Sequence, residues 1–138
     1  MNQPEQKCVM VIDANLPLGL IANTAAMLGI SIGQLHPEIV GEDVTDGSGK
    51  EHPGISMVPI SMLKGDEALL KDLRARLFTD EFVGLTAVDF SDVAQKINIY
   101  ADFVQKSSET PESEHHYYGI ALFGDKKKIN RLTGMLPL

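Results

Sequence analysis

The stretch VMVIDANLPLGLIANTAAMLG, residues 9–29, decides how the rest of the chain is interpreted. The run CVMVI at residues 8–12 is apolar without alternation, which is typical of a central strand covered on both faces. A polar turn with Asp13 and Asn15 follows, in which Asn15 can cap a helix and Pro17 suits its first turn. The stretch therefore predicts a buried strand, a turn and a helix.

The helix after this turn carries no charged side chain from Leu16 to Leu28, and Gly29 can supply a left-handed stop. A helix that is apolar all round is typically a buried helix. Small residues share one narrow face of it, namely Gly19, Ala22, Asn23 and Ala26. Asn23 and Thr24 would then be polar groups in a dry place, where they need partners from a ligand or from neighbouring backbone.

Strand and helix patterns alternate along the rest of the chain. The predicted strands are Ser56–Leu63, Phe82–Phe90 and Tyr118–Phe123, and the predicted helices follow Asp66, Ser91 and Asp125. Pro59 cannot donate to a ladder, so the first of these strands is expected to lie at an edge or to contain a bulge. We expect an α/β three-layer sandwich, with helices on both faces of a mixed, mostly parallel sheet of about four strands.

The length of 138 residues predicts a single domain over residues 1–138. Residues 30–55 are rich in glycine and proline and are expected to form a loop or a hairpin, with Asp46-Gly47 at its turn. Residues 106–114 are polar and are expected to form a flexible connection. His36 and His52, within the first of these segments, are expected to face solvent.

Composition narrows the cellular setting and the partners. The N-terminus MNQPEQK resembles neither a signal peptide nor a transit peptide, and no apolar run approaches the roughly 18 residues of a membrane helix, so we expect a cytoplasmic protein. The formal net charge of −7 argues against binding to nucleic acid, and Lys126–Lys128 is interpreted as a solvated helical turn. The single cysteine, Cys8, is expected to fill the core.

Sites in α/β sheets usually lie beyond the carboxyl ends of the strands, which places Asp13 and Asn15 in the candidate zone. Asp13 could act as a base or could form the turn. His115 and His116 are adjacent on an extended chain and point to opposite faces, so at most one of them can face a site. No phosphate-binding loop, dinucleotide fingerprint or HExxH pattern is present, and we predict no cofactor and no metal.

Two stretches also resemble known families. Val9–Leu28 and Tyr118–Leu138 together resemble both ends of the peptidyl-tRNA hydrolase II fold. More closely, LPLGLIANTAAMLG and YYGIALFGDKKKINRLTG resemble the family called domain of unknown function 2000, which is similar in fold to that hydrolase. The resemblance implies a peptidyl-tRNA-hydrolase-II-like fold over the whole chain, although its motifs are specific only at the two ends.

The chain departs from the hydrolase pattern at the positions that carry its chemistry. Leu20 stands in place of the helix lysine, Thr24 in place of a glutamine and Met27 in place of a histidine. The Asp-Ala-Gly-x-Thr segment before the last strand has no counterpart in residues 109–117. Leucine cannot replace a charged donor for phosphate or an oxyanion, which argues against tRNA cleavage.

Three functions remain open on the sequence. The first is the binding of a small molecule or a peptide end near Asp13, Asn15, Gly19, Asn23, Thr24 and His116. The second is a hydrolase for a substrate other than tRNA, in which Asp13 and a histidine supply the base. The third is a homodimer or interaction module, based on the apolar tail Met135–Leu138, which could equally belong to the core.

Overall fold

The computed structural model describes residues 5–137, so Met1–Pro4 of the polar N-terminus and Leu138 of the apolar tail lie outside the described residues. The strands are β1 (Gln6–Asp13), β2 (Val44–Thr45), β3 (Glu51–His52), β4 (Ile60–Gly65), β5 (Thr86–Ser91) and β6 (Tyr117–Asp125). The α-helices are α1 (Leu18–Leu35), α2 (Glu67–Leu77), α3 (Asp92–Gln95), α4 (Tyr100–Glu109) and α5 (Lys126–Thr133). This is the expected α/β class.

The main sheet has four strands in the order β4-β1-β6-β5, with β1 in the interior and β4 at an edge as predicted. Only β4 and β1 pair in parallel, whereas β6 is antiparallel to both β1 and β5. The expectation of a mostly parallel sheet is therefore wrong. The reason is that β6 enters between β1 and β5, which run in the same direction and do not pair with each other.

Each face of the sheet carries its own buried cluster. Under α2 and α5 lie Val9, Val11, Leu70, Ile120, Leu122 and Ile129, among others. Under α1 lie Cys8, Met10, Ile12, Leu28, Ile32 and Phe90, among others. Cys8 fills the core as expected, and burial raises the pKa of its thiol. Helices therefore cover both faces, as the three-layer prediction requires.

Helix α1 departs from its prediction at both ends. Its N-cap is Pro17, with no capping side chain, so the expected cap at Asn15 is wrong. The helix also continues through Gly29 to Leu35, so Gly29 is not a stop. Glycine in a helix costs about 1 kcal/mol relative to alanine. Burial of Ile32, one turn beyond Leu28, offsets that cost and extends the helix.

The expectation that α1 is buried all round is also wrong. Only Thr24, Leu28 and Ile32 are buried, while Leu18 is 80% exposed and Ile30 is 72% exposed. By length and composition α1 is apolar enough to cross a membrane, since its 18 residues have a mean hydropathy of 1.5. The expectation that no segment reaches that length therefore fails here, because the helix is longer than the sequence indicated.

Strands β4 and β5 and helix α2 match the predicted pattern, although both strands begin later than predicted. Helix α2 is capped by Asp66, whose side chain accepts a hydrogen bond from the Leu69 N–H at 2.8 Å. Strand β4 begins only at Ile60, because Pro59 has no N–H for the ladder. Strand β5 begins at Thr86, and Phe82 instead ends a short 3-10 helix.

The segment between β5 and β6 holds more helix than expected. The single helix predicted after Ser91 is divided into α3 and α4, with residues 96–99 between them. Residues 106–109 of the expected flexible connection belong to α4, and residues 112–114 form a 3-10 turn. Helix α4 contains no buried residue, so little packing holds it in place.

The hairpin predicted around Asp46-Gly47 is present, with Val44 opposite His52 and Thr45 opposite Glu51. His52 is exposed as expected. His36 is not, because its ring packs on Phe123 with centroids 4.4 Å apart and its Nε2 lies 2.8 Å from the Thr86 hydroxyl.

The described part of the C-terminal tail contacts its own chain at two points. Leu136 packs against the cluster under α2 and α5. The Lys64 N–H donates to the Pro137 carbonyl at 2.8 Å. The structure gives Leu136 a place at the core, whereas Met135 is 73% exposed, so the homodimer stays a prediction.

Candidate functional site

The carboxyl ends of three strands meet at one edge of the main sheet. Strands β1 and β4 are parallel, and β1 and β5 are both antiparallel to β6, so β1, β4 and β5 all end at this edge. Strand β6 begins there. Asp13 ends β1, Asp92 follows β5, and His116 precedes β6. Loops at such an edge are where α/β sheets usually place their sites.

Asp13 is both a turn former and a partner of His116. Asp13 is 3% exposed, and its Oδ1 accepts a hydrogen bond from the Asn15 N–H at 2.9 Å. The Ala14 N–H donates to the Gly65 carbonyl at 3.0 Å, which ties the turn to the end of β4. The second carboxylate oxygen, Oδ2, lies 3.4 Å from His116 Nε2. The turn-forming role that the sequence offered for Asp13 is therefore present, and its role as a base stays a prediction.

His116 is held from its backbone as well as from its ring. Its N–H donates to Asp92 Oδ1 at 3.1 Å, and its carbonyl accepts from the Asp92 N–H at 3.0 Å. Its Nε2 also lies 3.7 Å from Glu67 Oε1, and its side chain is 34% exposed. Within residues 5–137 its Nδ1 has no hydrogen-bond partner. The ring is therefore fixed on one side and free to bind on the other.

Tyr118 completes the site. A β-bulge between Phe90 and Ser91 leaves Tyr118 as the extra residue of β6, and its ring stands edge-on to that of His116 with centroids 5.1 Å apart. Bulges often redirect a side chain beside a site. Burial raises the pKa of the Tyr118 hydroxyl, and the charges of Asp92 and Asp13 raise it further. The hydroxyl is therefore a neutral donor at physiological pH.

The site is rich in acceptors. Asp13, Glu67 and Asp92 surround His116, and no lysine or arginine within the described residues forms an ion pair with any of the three. Carboxylates accept hydrogen bonds and attract cations. Such a site suits a ligand that brings donors and positive charge, and it does not suit a phosphate.

Three predicted site residues lie elsewhere. Gly19 and Asn23 are exposed on α1, and within residues 5–137 neither forms a hydrogen bond with Asp13 or His116. Thr24 is fully buried, and its hydroxyl has no partner in the part of the chain that the structure describes. Its methyl carbon packs closely on Gly119 of β6, since a Cβ added to Gly119 would lie 2.7 Å from Thr24 Cγ2. Thr24 therefore faces the core. Asn15 contributes only its backbone N–H.

Glu67, Asp92 and Tyr118 were not predicted from the sequence. Glu67 would ordinarily pair with Lys71 one turn later, but Lys71 instead contacts the Ser113 carbonyl. The available signal was position, because Asp13, Asp92 and Glu67 each lie at or just after the end of a strand. Residues 5–137 contain no group of three histidine, cysteine, aspartate or glutamate side chains placed to hold a metal.

Comparisons with known proteins identify relatives without a known activity. A family model described as protein of unknown function (DUF2000) matches residues 6–138. The solved structure of a protein of unknown function from Agrobacterium tumefaciens strain C58 is similar, with a TM-score of 0.87, 22% identity and 97% of each chain covered. No curated protein matches the chain. At this identity the solved structure shows a shared fold alone, and the likeness to peptidyl-tRNA hydrolase II stays a prediction.

Proposed function

The chain belongs to the DUF2000 family of proteins of unknown function, and we propose that its Asp13–His116 site binds the amino end of a peptide or another small amine. The observation that carries this proposal is the buried Asp13 carboxylate, 3.4 Å from His116 Nε2, in a site whose carboxylates pair with no lysine or arginine among the described residues. The proposal narrows the small molecule or peptide end expected from the sequence to a ligand with positive charge.

Asp13 acts in this proposal through His116. The Asp13 side chain is 4% exposed, so its carboxylate lies behind the imidazole. There it accepts a hydrogen bond from the Nε2–H of His116. A neutral imidazole whose Nε2 carries the hydrogen has an acceptor at Nδ1. A ligand ammonium group then donates to Nδ1 and to Glu67, whose side chain is 64% exposed. The hydrogen bond from a charged donor to Nδ1 contributes roughly 1.5–3 kcal/mol, whereas the pair with the exposed Glu67 contributes only about 0.2–1 kcal/mol, so a small ligand is held weakly.

Calorimetric titration with trialanine and with N-acetyl-trialanine tests this proposal. The two peptides differ in the charge of one end, so we expect trialanine to bind at least about tenfold more tightly. Glu67→Gln and Asp13→Asn should each remove most of that preference. Asp72→Asn, an exposed carboxylate on α2, is the matched control and should leave it unchanged. Equal binding of both peptides, or no binding of either at millimolar concentration, would refute the proposal.

A second candidate is a hydrolase for a substrate other than tRNA. The specific observation in its favour is that His116 has one ring nitrogen beside a buried carboxylate and the other without a partner among residues 5–137. That arrangement suits a general base that takes a proton from water. A panel of ester and amide substrates, assayed with the wild-type protein and His116→Gln, distinguishes turnover from binding. Turnover that His116→Gln abolishes supports the hydrolase, and absence of turnover across the panel excludes those substrates.

A further inference from the structure

A groove of about 390 Å³ lies between α1, β5 and the two helices that follow β5. Apolar side chains form most of its surface, namely Met27, Leu28, Val88, Phe90, Ile97 and Phe103. Ligand sites for small molecules commonly have volumes of roughly 300–1,000 Å³ and are mostly apolar with a few polar groups. The groove has the size and the surface of such a site.

The charges around the groove restrict what it can bind. Within the described residues, Asp89 is the one charged residue that lines it, and the Asp89 carboxylate pairs with Arg74 Nε at 2.9 Å. A charged ligand would find no lysine or arginine in this lining, and the one carboxylate is already paired with Arg74 of α2, on the other face of the sheet. Burying an unpaired charge is costly, so a neutral ligand fits best. Ser31 and Asn98 offer hydrogen bonds to a polar group of that ligand.

Helix α4 covers the groove with little packing of its own. Phe103 reaches into it and meets Tyr100 edge to face, with ring centroids 5.3 Å apart. Tyr100 is 76% exposed and Val104 is 56% exposed, and no residue of α4 is buried. A segment with few buried contacts opens at low free-energy cost. Burial of a ligand beneath α4 would add the packing that this helix lacks.

We propose that this groove is a second binding site, which takes a neutral and largely hydrophobic small molecule beneath α4. The groove and the Asp13–His116 site are neighbours. Phe90 lines the groove, and its ring centroid lies 6.3 Å from that of Tyr118, whose ring contacts His116. The inference does not depend on the amine site. A failure of amine binding leaves it standing, and its own failure leaves the amine site standing.

Two related fluorescent probes test the groove. N-phenyl-1-naphthylamine is neutral, and 1-anilinonaphthalene-8-sulfonate has the same ring system with a negative charge. We expect saturable one-to-one binding of the neutral probe, at least about tenfold tighter than that of the sulfonate. Equal affinities, or no saturable binding of the neutral probe, would overturn the proposal.

Variants place the probe in the groove. Ser31→Phe fills it from α1 and should abolish binding of the neutral probe. Phe103→Ala removes part of its cover and should weaken binding several-fold, whereas Val104→Ala on the same helix should leave the affinity within about twofold. Binding that survives Ser31→Phe and Phe103→Ala would refute the site. Light scattering supplies a further outcome, since a dimer that Phe103→Ala dissociates would mean that a second copy covers the groove instead.

Discussion

The two faces of the sheet are built differently. Under α2 and α5 the packing is tighter, with Leu70, Ile120 and Ile129 all fully buried and a smaller pocket of about 160 Å³. Under α1 the same sheet leaves a groove beside β5 and leaves Met62 of β4 40% exposed. The side chain at the centre of α1, Thr24, is fully buried with a hydroxyl that has no partner among residues 5–137. We infer that the α2 face contributes more to stability than the α1 face, which packs less fully beside the groove.

The largest expected loss of stability is on the face of the sheet that α2 and α5 cover. Leu70→Ala removes a fully buried side chain and should lower the free energy of unfolding by about 2–5 kcal/mol. Met27→Ala, in the groove of the α1 face, should cost less than about 1 kcal/mol because Met27 is 45% exposed. Denaturant unfolding of both variants measures the contrast. Equal losses would contradict the division of stability between the faces.

A second contrast tests how closely α1 approaches the sheet. A Cβ on Gly119 would lie 2.7 Å from Thr24 Cγ2 and 2.8 Å from Ile12 Cδ1, so Gly119→Ala should destabilise by about 1–3 kcal/mol. Gly33 on α1 has no atom within 4 Å of such a Cβ, so Gly33→Ala should instead stabilise by about 0.5–1 kcal/mol. Thermal unfolding of both variants gives the signs. A stabilising Gly119→Ala would mean that α1 lies further from β6.

Two buried threonines should respond with opposite signs to the same substitution. Thr24→Val removes a buried hydroxyl without a partner in residues 5–137, and should stabilise by about 1 kcal/mol. Thr133→Val removes a hydroxyl that donates to the Ile129 carbonyl at 2.9 Å, and should destabilise by about 0.5–1.5 kcal/mol. Loss of stability in both variants would show that the Thr24 hydroxyl has a partner in solution.

The smallest effect concerns alkaline pH. Burial raises the pKa of Tyr118, and burial with a hydrogen bond to Glu112 raises that of Tyr117. The folded state therefore keeps protons that the unfolded state loses above about pH 10, so stability should fall as pH rises beyond that value. Tyr118→Phe should make the fall shallower, in unfolding measured between about pH 8 and 11. An unchanged slope would contradict a desolvated hydroxyl at this position.

The same contrast explains what the sequence could predict. Helix α2 is specified by local signals, since Asp66 caps it and leucines at helical spacing mark its inner side, and its start after Asp66 was predicted correctly. Helix α1 has neither a capping side chain nor a charged outer face. Its length depends on Leu28 and Ile32 meeting the sheet, which is a tertiary effect. The sequence therefore predicted that α1 exists but neither where it ends nor how much of it is exposed.

The site was predictable only in part for a similar reason. Asp13 could be placed at the carboxyl end of a strand from its neighbours in sequence. Its distance from His116, 103 positions later, depends on β6 entering the sheet antiparallel beside β1. The expectation of a mixed, mostly parallel sheet did not specify that pairing. Glu67 and Asp92 follow from the same geometry, since they join His116 from the ends of β4 and β5.

Nuclear magnetic resonance of the histidine rings tests the central claim most directly. Proton–nitrogen correlation spectra of the imidazoles report which nitrogen carries the hydrogen and whether a ligand approaches. We predict that the neutral His116 ring carries its hydrogen on Nε2, beside Asp13, and that Asp13→Asn weakens this preference for Nε2. Added trialanine should shift the His116 signals and leave those of the exposed His52 in place, and N-acetyl-trialanine should shift neither. A hydrogen on Nδ1, or His116 signals that trialanine leaves unmoved, would contradict the account.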